Sequence, residues 1–290
     1  MGSDTKIQWT DATWNPVRGC SRVSEGCRNC YAEGVAARFS GKDSSGKPLA
    51  YYGLARQGDN GPRWTGKLEM VAEHLHDPIR WKKARRIFVN SMSDLFHEKL
   101  TDDEVASVFM VMLNAPRHTY QILTKRAERM QRFVEGFCAA RGWDRLPPFI
   151  WLGISAEDQA NFDERAPWLL QTRAAIRFVS AEPLLGPIDG IAFKRWRFAD
   201  GRPDACIDWV IVGGESGRGA RPFDVQWARA IVADCRVGGA AAFVKQLGAQ
   251  PYDSTKRWAP RSTFPTHGPE IDEWDVNFAV REFPQSKGSP

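Results

Sequence analysis

Six short apolar runs recur along the 290-residue chain at nearly constant intervals, and this rhythm limits the fold more than any other feature. They begin near Ile87 (IFVN), Thr119 (TYQIL), Phe149 (FIWLGI), Ile176 (IRFVS), Asp208 (DWVIVG) and Ala241 (AAFVK), at spacings of 32, 30, 27, 32 and 33 residues. One strand and its returning helix have that length, and apolar runs without polar alternation suit parallel strands buried on both faces. Helix signals fill several of the intervals. Thr101-Asp102-Asp103-Glu104 spells a capping box before Val105–Leu113. Further helices are expected over Lys125–Ala140, Glu157–Leu170 and Asp224–Cys235, and an irregular connection between Leu184 and Ile207. A strand near Thr13–Arg18 and a helix over Cys30–Phe39 bring the total to seven units at most. The expected class is α/β: a partial or distorted (β/α) barrel of about six to seven parallel strands, with a doubly wound open sheet as the alternative. That domain spans residues 1–250, carries an inserted excursion near 40–85, and is followed by a Pro- and Gly-rich tail over 251–290.

Composition narrows the class of function. A chain that is 42% hydrophobic, with 12 Trp and 16 Phe, can build a large core, which excludes wholesale disorder. No apolar run reaches the roughly 18 residues of a membrane helix, and the first ten residues lack the apolar region of a secretory signal. No membrane partner is expected. The net charge of +5 permits an anionic partner such as DNA or RNA without requiring one. Three of the six cysteines lie within eleven residues and the other three are scattered. A disulfide-stapled secreted scaffold would not look like this, so a reduced, cytoplasmic setting is expected.

The clustered cysteines, Cys20, Cys27 and Cys30, follow the pattern C-x6-C-x2-C, with Gly19 and Gly26 placed to let the backbone bend around a centre. No fourth cysteine or histidine follows nearby. Three thiolates with one open position suit a [4Fe–4S] cluster whose fourth iron takes a small molecule. A zinc site completed by a distant residue such as His97, or three free thiols, are the other readings of the same spacing.

Every apolar run ends in ionisable or hydroxyl groups: Ser91-Met92-Ser93-Asp94, Thr124-Lys125-Arg126, Ser155-Ala156-Glu157-Asp158, Ser180-Ala181-Glu182, Gly213-Gly214-Glu215-Ser216 and Lys245-Gln246. Strand carboxyl ends face the active site in parallel α/β folds, so these residues are expected to form its rim. Other motifs weigh less. Gly41–Lys47 nearly spells a phosphate-binding loop, but Pro48 stands where Ser or Thr should hold magnesium, which leaves a surface loop. The basic run Arg80–Arg86 with Trp81 reads as a solvated face leading into the barrel, with phosphate contact as the alternative.

The segments TWNPVRGC, GCRNCYAE, NSMSDLF, ILTKR, LGISAED, RFVSAEPLLG, VIVGGESG and FVKQLG span about residues 9–248. Together they resemble the phage-associated three-cysteine-motif family, and the cysteine loop resembles that of the radical S-adenosylmethionine (SAM) enzymes. The order Cys-Tyr, Ser-Asp, Thr-Lys, Gly-x-Ser is similar to spore photoproduct lyase, a DNA-repair enzyme. The resemblance implies that Cys20, Cys27 and Cys30 hold a [4Fe–4S] cluster. It also implies that Ser93, Lys125 and Ser155 hold SAM, with an electron donor such as flavodoxin or ferredoxin. Asp94, Glu157, Glu182 and Glu215 join the expected cofactor-binding set from their strand-end positions. Three departures stand out. The superfamily's commoner spacing is C-x3-C-x2-C. Asn29 replaces the usual aromatic before the last cysteine. Ser91 occupies the position of the lyase's hydrogen-donor thiol. The implied function is reductive SAM cleavage and hydrogen abstraction from a substrate, with a nucleic acid or modified nucleobase as candidate. The competing expectation is a non-enzymatic, metal-stabilised nucleic-acid-binding protein.

Overall fold

The computed structural model describes residues 5–59, 61–191, 195–197, 204–257, 274 and 278–285. The chain divides into two compact units, Met1–Arg129 and Met130–Pro290.

In the first unit, β1 (Ala12–Trp14) is followed by β2 (Val17–Arg18), a 3-10 turn at Glu25–Cys27 and α1 (Tyr31–Arg38). Then come the hairpin β3 (Ala55–Gly58) and β4 (Gly61–Trp64), β5 (Glu69–Met70), the short helices α2 (Ala72–Leu75) and α3 (Asp77–Arg80), β6 (Arg86–Val89), α4 (Asp102–Leu113) and β7 (Thr119–Thr124). Strands β1, β6 and β7 pair in parallel, Ala12 beside Ile87 and Ile87 beside Tyr120. Their side chains, among them Trp14, Ile87, Val89, Tyr120 and Ile122, are fully buried, as unbroken apolar runs require. The expected strand over Thr13–Arg18 is two pieces. Asn15-Pro16 interrupts it, β1 joins the parallel sheet, and β2 leaves to pair antiparallel with β5. The capping box at Thr101 is formed: Thr101 Oγ1 accepts from Glu104 N at 3.2 Å, and Thr101 N donates to Glu104 Oε2 at 2.8 Å. Helix α5 (Ala127–Ala139) follows β7 and runs into the second unit.

The second unit contains β8 (Ile150–Ser155), α6 (Gln159–Gln171), β9 (Ile176–Ala181), β10 (Arg195–Trp196), β11 (Ala205–Cys206), β12 (Trp209–Gly213), β13 (Phe223–Asp224), α7 (Val225–Gly238), β14 (Ala241–Gln246) and β15 (Pro251–Tyr252). Strands β8, β9, β12 and β14 pair in parallel in that order. Asp158 caps α6 by accepting from Asn161 N at 2.9 Å, and Gly239 closes α7 at φ +76°. Trp209 fills the core against Trp151, Phe178 and Phe243. The irregular connection after Leu184 contains the small antiparallel pair β10–β11. Of the 251–290 tail, residues 278–285 lie along β14: Val244 N donates to Val280 O, and Glu282 N to Ala242 O. Phe278 in that segment is fully buried.

The strands form a seven-stranded sheet in the order β1-β6-β7-β8-β9-β12-β14. The order never reverses, so there is no switch point of the doubly wound kind. The fold class is that of a partial (β/α) barrel of parallel strands. Among the described residues no helix is long and apolar enough to cross a membrane.

Candidate functional site

In the first unit the cysteine loop leaves β2 and passes the carboxyl ends of β6 and β7. Gly19 takes φ +92°, and a Cβ there would lie 2.1 Å from Lys67 O, so no side chain fits before Cys20. Gly26, in contrast, lies in the 3-10 turn and does not take a positive φ. A bridge joins Gly19 to Ser93, whose hydroxyl donates to Val17 O at 2.9 Å. Asn15 Oδ1 accepts from Met92 N and from Ser91 Oγ, and Tyr31 OH donates to Ser91 O at 2.7 Å. Ser91 is thus tied to both sides of the cysteine loop.

Asp94 and Arg126 fix the first half of that loop. The buried Asp94 accepts four hydrogen bonds: from Thr124 Oγ1 (2.7 Å), Phe96 N (3.0 Å), Lys125 N (3.2 Å) and Arg126 Nη1 (3.0 Å). Arg126 extends from it to Glu98 Oε2 (2.6 Å) and Ser21 Oγ (2.9 Å). Arg22 secures the middle of the loop, donating to both oxygens of Glu33 on α1 and to Arg28 O. Glu33 is almost completely buried and also accepts from Trp64 N.

His97 is fully buried beside Ser21, with Nε2 2.9 Å from Ser21 Oγ. Its Nδ1 accepts from Lys99 N at 3.2 Å, so the proton sits on Nε2 and points at Ser21. Burial and the nearby Arg126 lower its pKa, against the opposing pull of Glu98 and Asp94, which favours the neutral ring. The Ser21–His97–Glu98 grouping therefore has the wrong tautomer for a base acting on Ser21. Both ring nitrogens are engaged, and His97 would have to give up the Ser21 contact to serve as a fourth metal ligand.

Without metal, Cys20 and Cys30 are biased toward the protonated thiol. Burial pushes Cys20 up to about 12, Asp94 adds to the effect and Arg126 opposes it; the charges of Cys30 and Cys27 also raise it. Burial likewise raises Cys30, opposed by the backbone amides of Glu33 and Ala32 at the start of α1. Among the described residues no group of three or more His, Cys, Asp or Glu side chains is arranged to hold a metal ion. The donor chemistry suits a thiolate-bound cluster. Cys20 feels the charge of Cys27 and Cys30, Cys30 feels that of Cys27 and sits at the N-terminus of α1, and Arg22 and Arg126 are close enough to feel thiolate charge too. Half-buried Lys125 follows β7 directly, with its backbone anchored on Asp94.

In the second unit the expected rim residues fall at strand ends in three different settings. Ser155 ends β8, is buried, and its carbonyl accepts from Arg165 at 2.8 Å. Glu157 is fully buried and paired with Arg165 at 2.9 Å. Glu215 is bound at both oxygens by Arg221 (2.7 and 3.0 Å). Glu182, just past β9, meets Lys245 of β14 at 2.5 Å. Arg126 was expected at the rim as a strand-end residue, whereas Arg22 and Glu33 were not expected in the site. The signal for Arg126 was its place beside Lys125 at a strand end; the Arg22–Glu33 pair, eleven residues apart across the loop, has no local signal.

The other motifs have ordinary surroundings. Asp43 Oδ1 collects Ser45 N, Ser45 Oγ and Lys47 N in a solvated turn at the phosphate-loop look-alike. Trp81 meets the edge of His118 and lies under the Arg85 guanidinium.

A family model described as "Protein of unknown function (DUF5131)" matches residues 4–274. No curated protein and no solved structure matches the chain.

Proposed function

We propose that this chain, which belongs to the DUF5131 family, is a radical SAM enzyme that abstracts hydrogen from a nucleic acid or modified nucleobase. Cys20, Cys27 and Cys30 would hold a [4Fe–4S] cluster. When bound, cluster and SAM supply one-electron chemistry, the reductive cleavage of SAM to a carbon radical. The observation that carries this reading is the way the three-thiol loop is secured. Arg126 and Arg22 fasten its two halves, and His97, the named candidate for a fourth ligand, is engaged at both nitrogens.

The protein's part is positioning. Arg126 and Arg22 bring positive charge to the thiolates and hold the loop in place before any cofactor arrives. Lys125 supplies an ammonium suited to the carboxylate of SAM's amino acid end, and Asp94 sets the backbone from which it projects. Ser93 orders the loop through Val17. In the second unit, Ser155 takes the hydroxyl role that the resemblance implies. Glu157 and Glu215 are neutralised by Arg165 and Arg221, which suits them to holding their strand ends in shape. Electrons would come from a small reductase of the flavodoxin or ferredoxin kind, in the cytoplasm.

Anaerobic reconstitution tests the reading. About four irons per chain are expected, with SAM cleavage by dithionite-reduced protein that is lost in Cys27→Ala. Iron-free protein carrying one zinc per chain, with salt-sensitive nucleic-acid binding and no affinity for SAM, would establish the metal-stabilised binding protein instead.

A further inference from the structure

The Glu182–Lys245 pair differs from the strand-end glutamates Glu157 and Glu215 of its unit. Glu157 is sealed against Arg165, and Glu215 gives both oxygens to Arg221. Glu182 uses one oxygen only: Oε1 accepts from Lys245 Nζ at 2.5 Å and from Gln246 Nε2 at 3.4 Å. Among the described residues Oε2 has no hydrogen-bond partner, and the ammonium of Lys245 keeps two of its three N–H groups open. Gln246 Nε2 also donates to Gly214 O at 3.1 Å, which leaves its own Oε1 open. The side chains of Glu182 and Lys245 are 19% and 20% exposed, so the pair is largely desolvated yet reachable.

The backbone makes room for this arrangement. Gly213 lies at the end of β12, between β9 and β14, and a Cβ there would stand 3.1 Å from Glu182 Cδ. The result is an edge with an anionic acceptor, a cationic donor and a neutral acceptor side by side. A phosphate or carboxylate fits it badly, because Glu182 cancels the charge of Lys245 and repels the anion. A neutral heterocycle with a donor next to an acceptor fits both members.

We propose that Glu182, Lys245 and Gln246 form the specificity edge of a site for a nucleobase that presents an imino N–H beside a carbonyl oxygen. The N–H donates to Glu182 Oε2 and the carbonyl accepts from Lys245 Nζ. This names the substrate class of the enzyme proposed above and rests on its nucleic-acid reading. It moves Glu182 from cofactor contact to substrate contact. The adenine of SAM presents an amino group beside a ring nitrogen, so the two sources of a base can be told apart.

The test uses the full chain and ligand-observed NMR titration with uridine, 3-methyluridine, guanosine, 1-methylguanosine, adenosine and SAM. Uridine and guanosine are expected to bind, and their N-methylated forms to bind at least about tenfold more weakly, because methylation removes the donor for Glu182 Oε2. Glu182→Gln and Lys245→Met should lose uridine about tenfold and keep SAM. The methylation comparison needs no variant, so a variant that fails to fold leaves the test intact. Equal binding of methylated and unmethylated nucleosides overturns the proposal, as does an absence of nucleoside binding at millimolar concentration. So does a loss of SAM, rather than uridine, in the two variants. Uridine binding without any SAM binding would instead remove the radical SAM reading and leave this edge standing.

Discussion

Single residues in this chain carry consequences that their type alone does not announce. Gly19 is one, since its positive φ and the 2.1 Å approach to Lys67 O leave no space for a methyl group. Gly19→Ala should therefore lose more than about 1 kcal/mol in urea denaturation and should reconstitute with less iron than the parent protein. Asp253 is another. Burial works to raise its pKa, but hydrogen bonds from Thr255, Arg229 and Gln226 outweigh it and hold the carboxyl well below the usual range. A carboxylate depressed in the folded state adds stability above its unfolded value of about 3.9, and that contribution fades as pH falls toward the folded value. Asp253→Asn should thus be less stable than the parent at pH 7, and the difference should shrink steadily below about pH 4; a constant gap in acid melts would contradict it. The cysteines were legible because their spacing is local. Arg126 was legible as a strand-end cation, but its hold on the cysteine loop was not, because that depends on Asp94 and Ser21, 32 and 105 residues away.

At the scale of elements, long apolar runs and capping signals transmit well from sequence. The six expected strands from Ile87 onward appear as β6, β7, β8, β9, β12 and β14, each within a residue of its expected start. The N-terminal strand did not transmit. Three residues of β1 are too few to show a period, and Pro16 splits off β2, whose partner β5 lies more than fifty residues on. The capping box of α4 is the local signal that survived in full. Thr101→Ala removes the acceptor for Glu104 N and should cost about 1 kcal/mol, measurable by chemical denaturation; a loss below a few tenths would show that tertiary packing alone sets the start of that helix. Strand-end chemistry was half legible. Ionisable residues fall where expected, yet only the structure separates Glu157 and Glu215, paired with arginine, from Glu182, which keeps an oxygen open.

For the whole molecule, the parallel sheet needs no cofactor to bury its strands: the fully buried side chains of β6, β7, β8, β9 and β12 form the core by themselves. Removal of the proposed cluster should therefore leave far-UV circular dichroism nearly unchanged, while loading it raises the melting temperature, as linkage requires. A chain that unfolds on chelation would contradict this. The order of the sheet ends in β14, and a terminal strand offers unpaired amides and carbonyls to any passing strand. Here residues 278–285 answer that exposure from within, through Val280 O and Glu282 N on β14, and Trp209 Nε1 adds a bond to Glu282 O. The final segment thus acts as the molecule's own protection against self-association. Deleting it should give a protein that still forms its parallel core but gathers into soluble oligomers, and then precipitates, under light scattering at concentrations where the full chain stays dispersed.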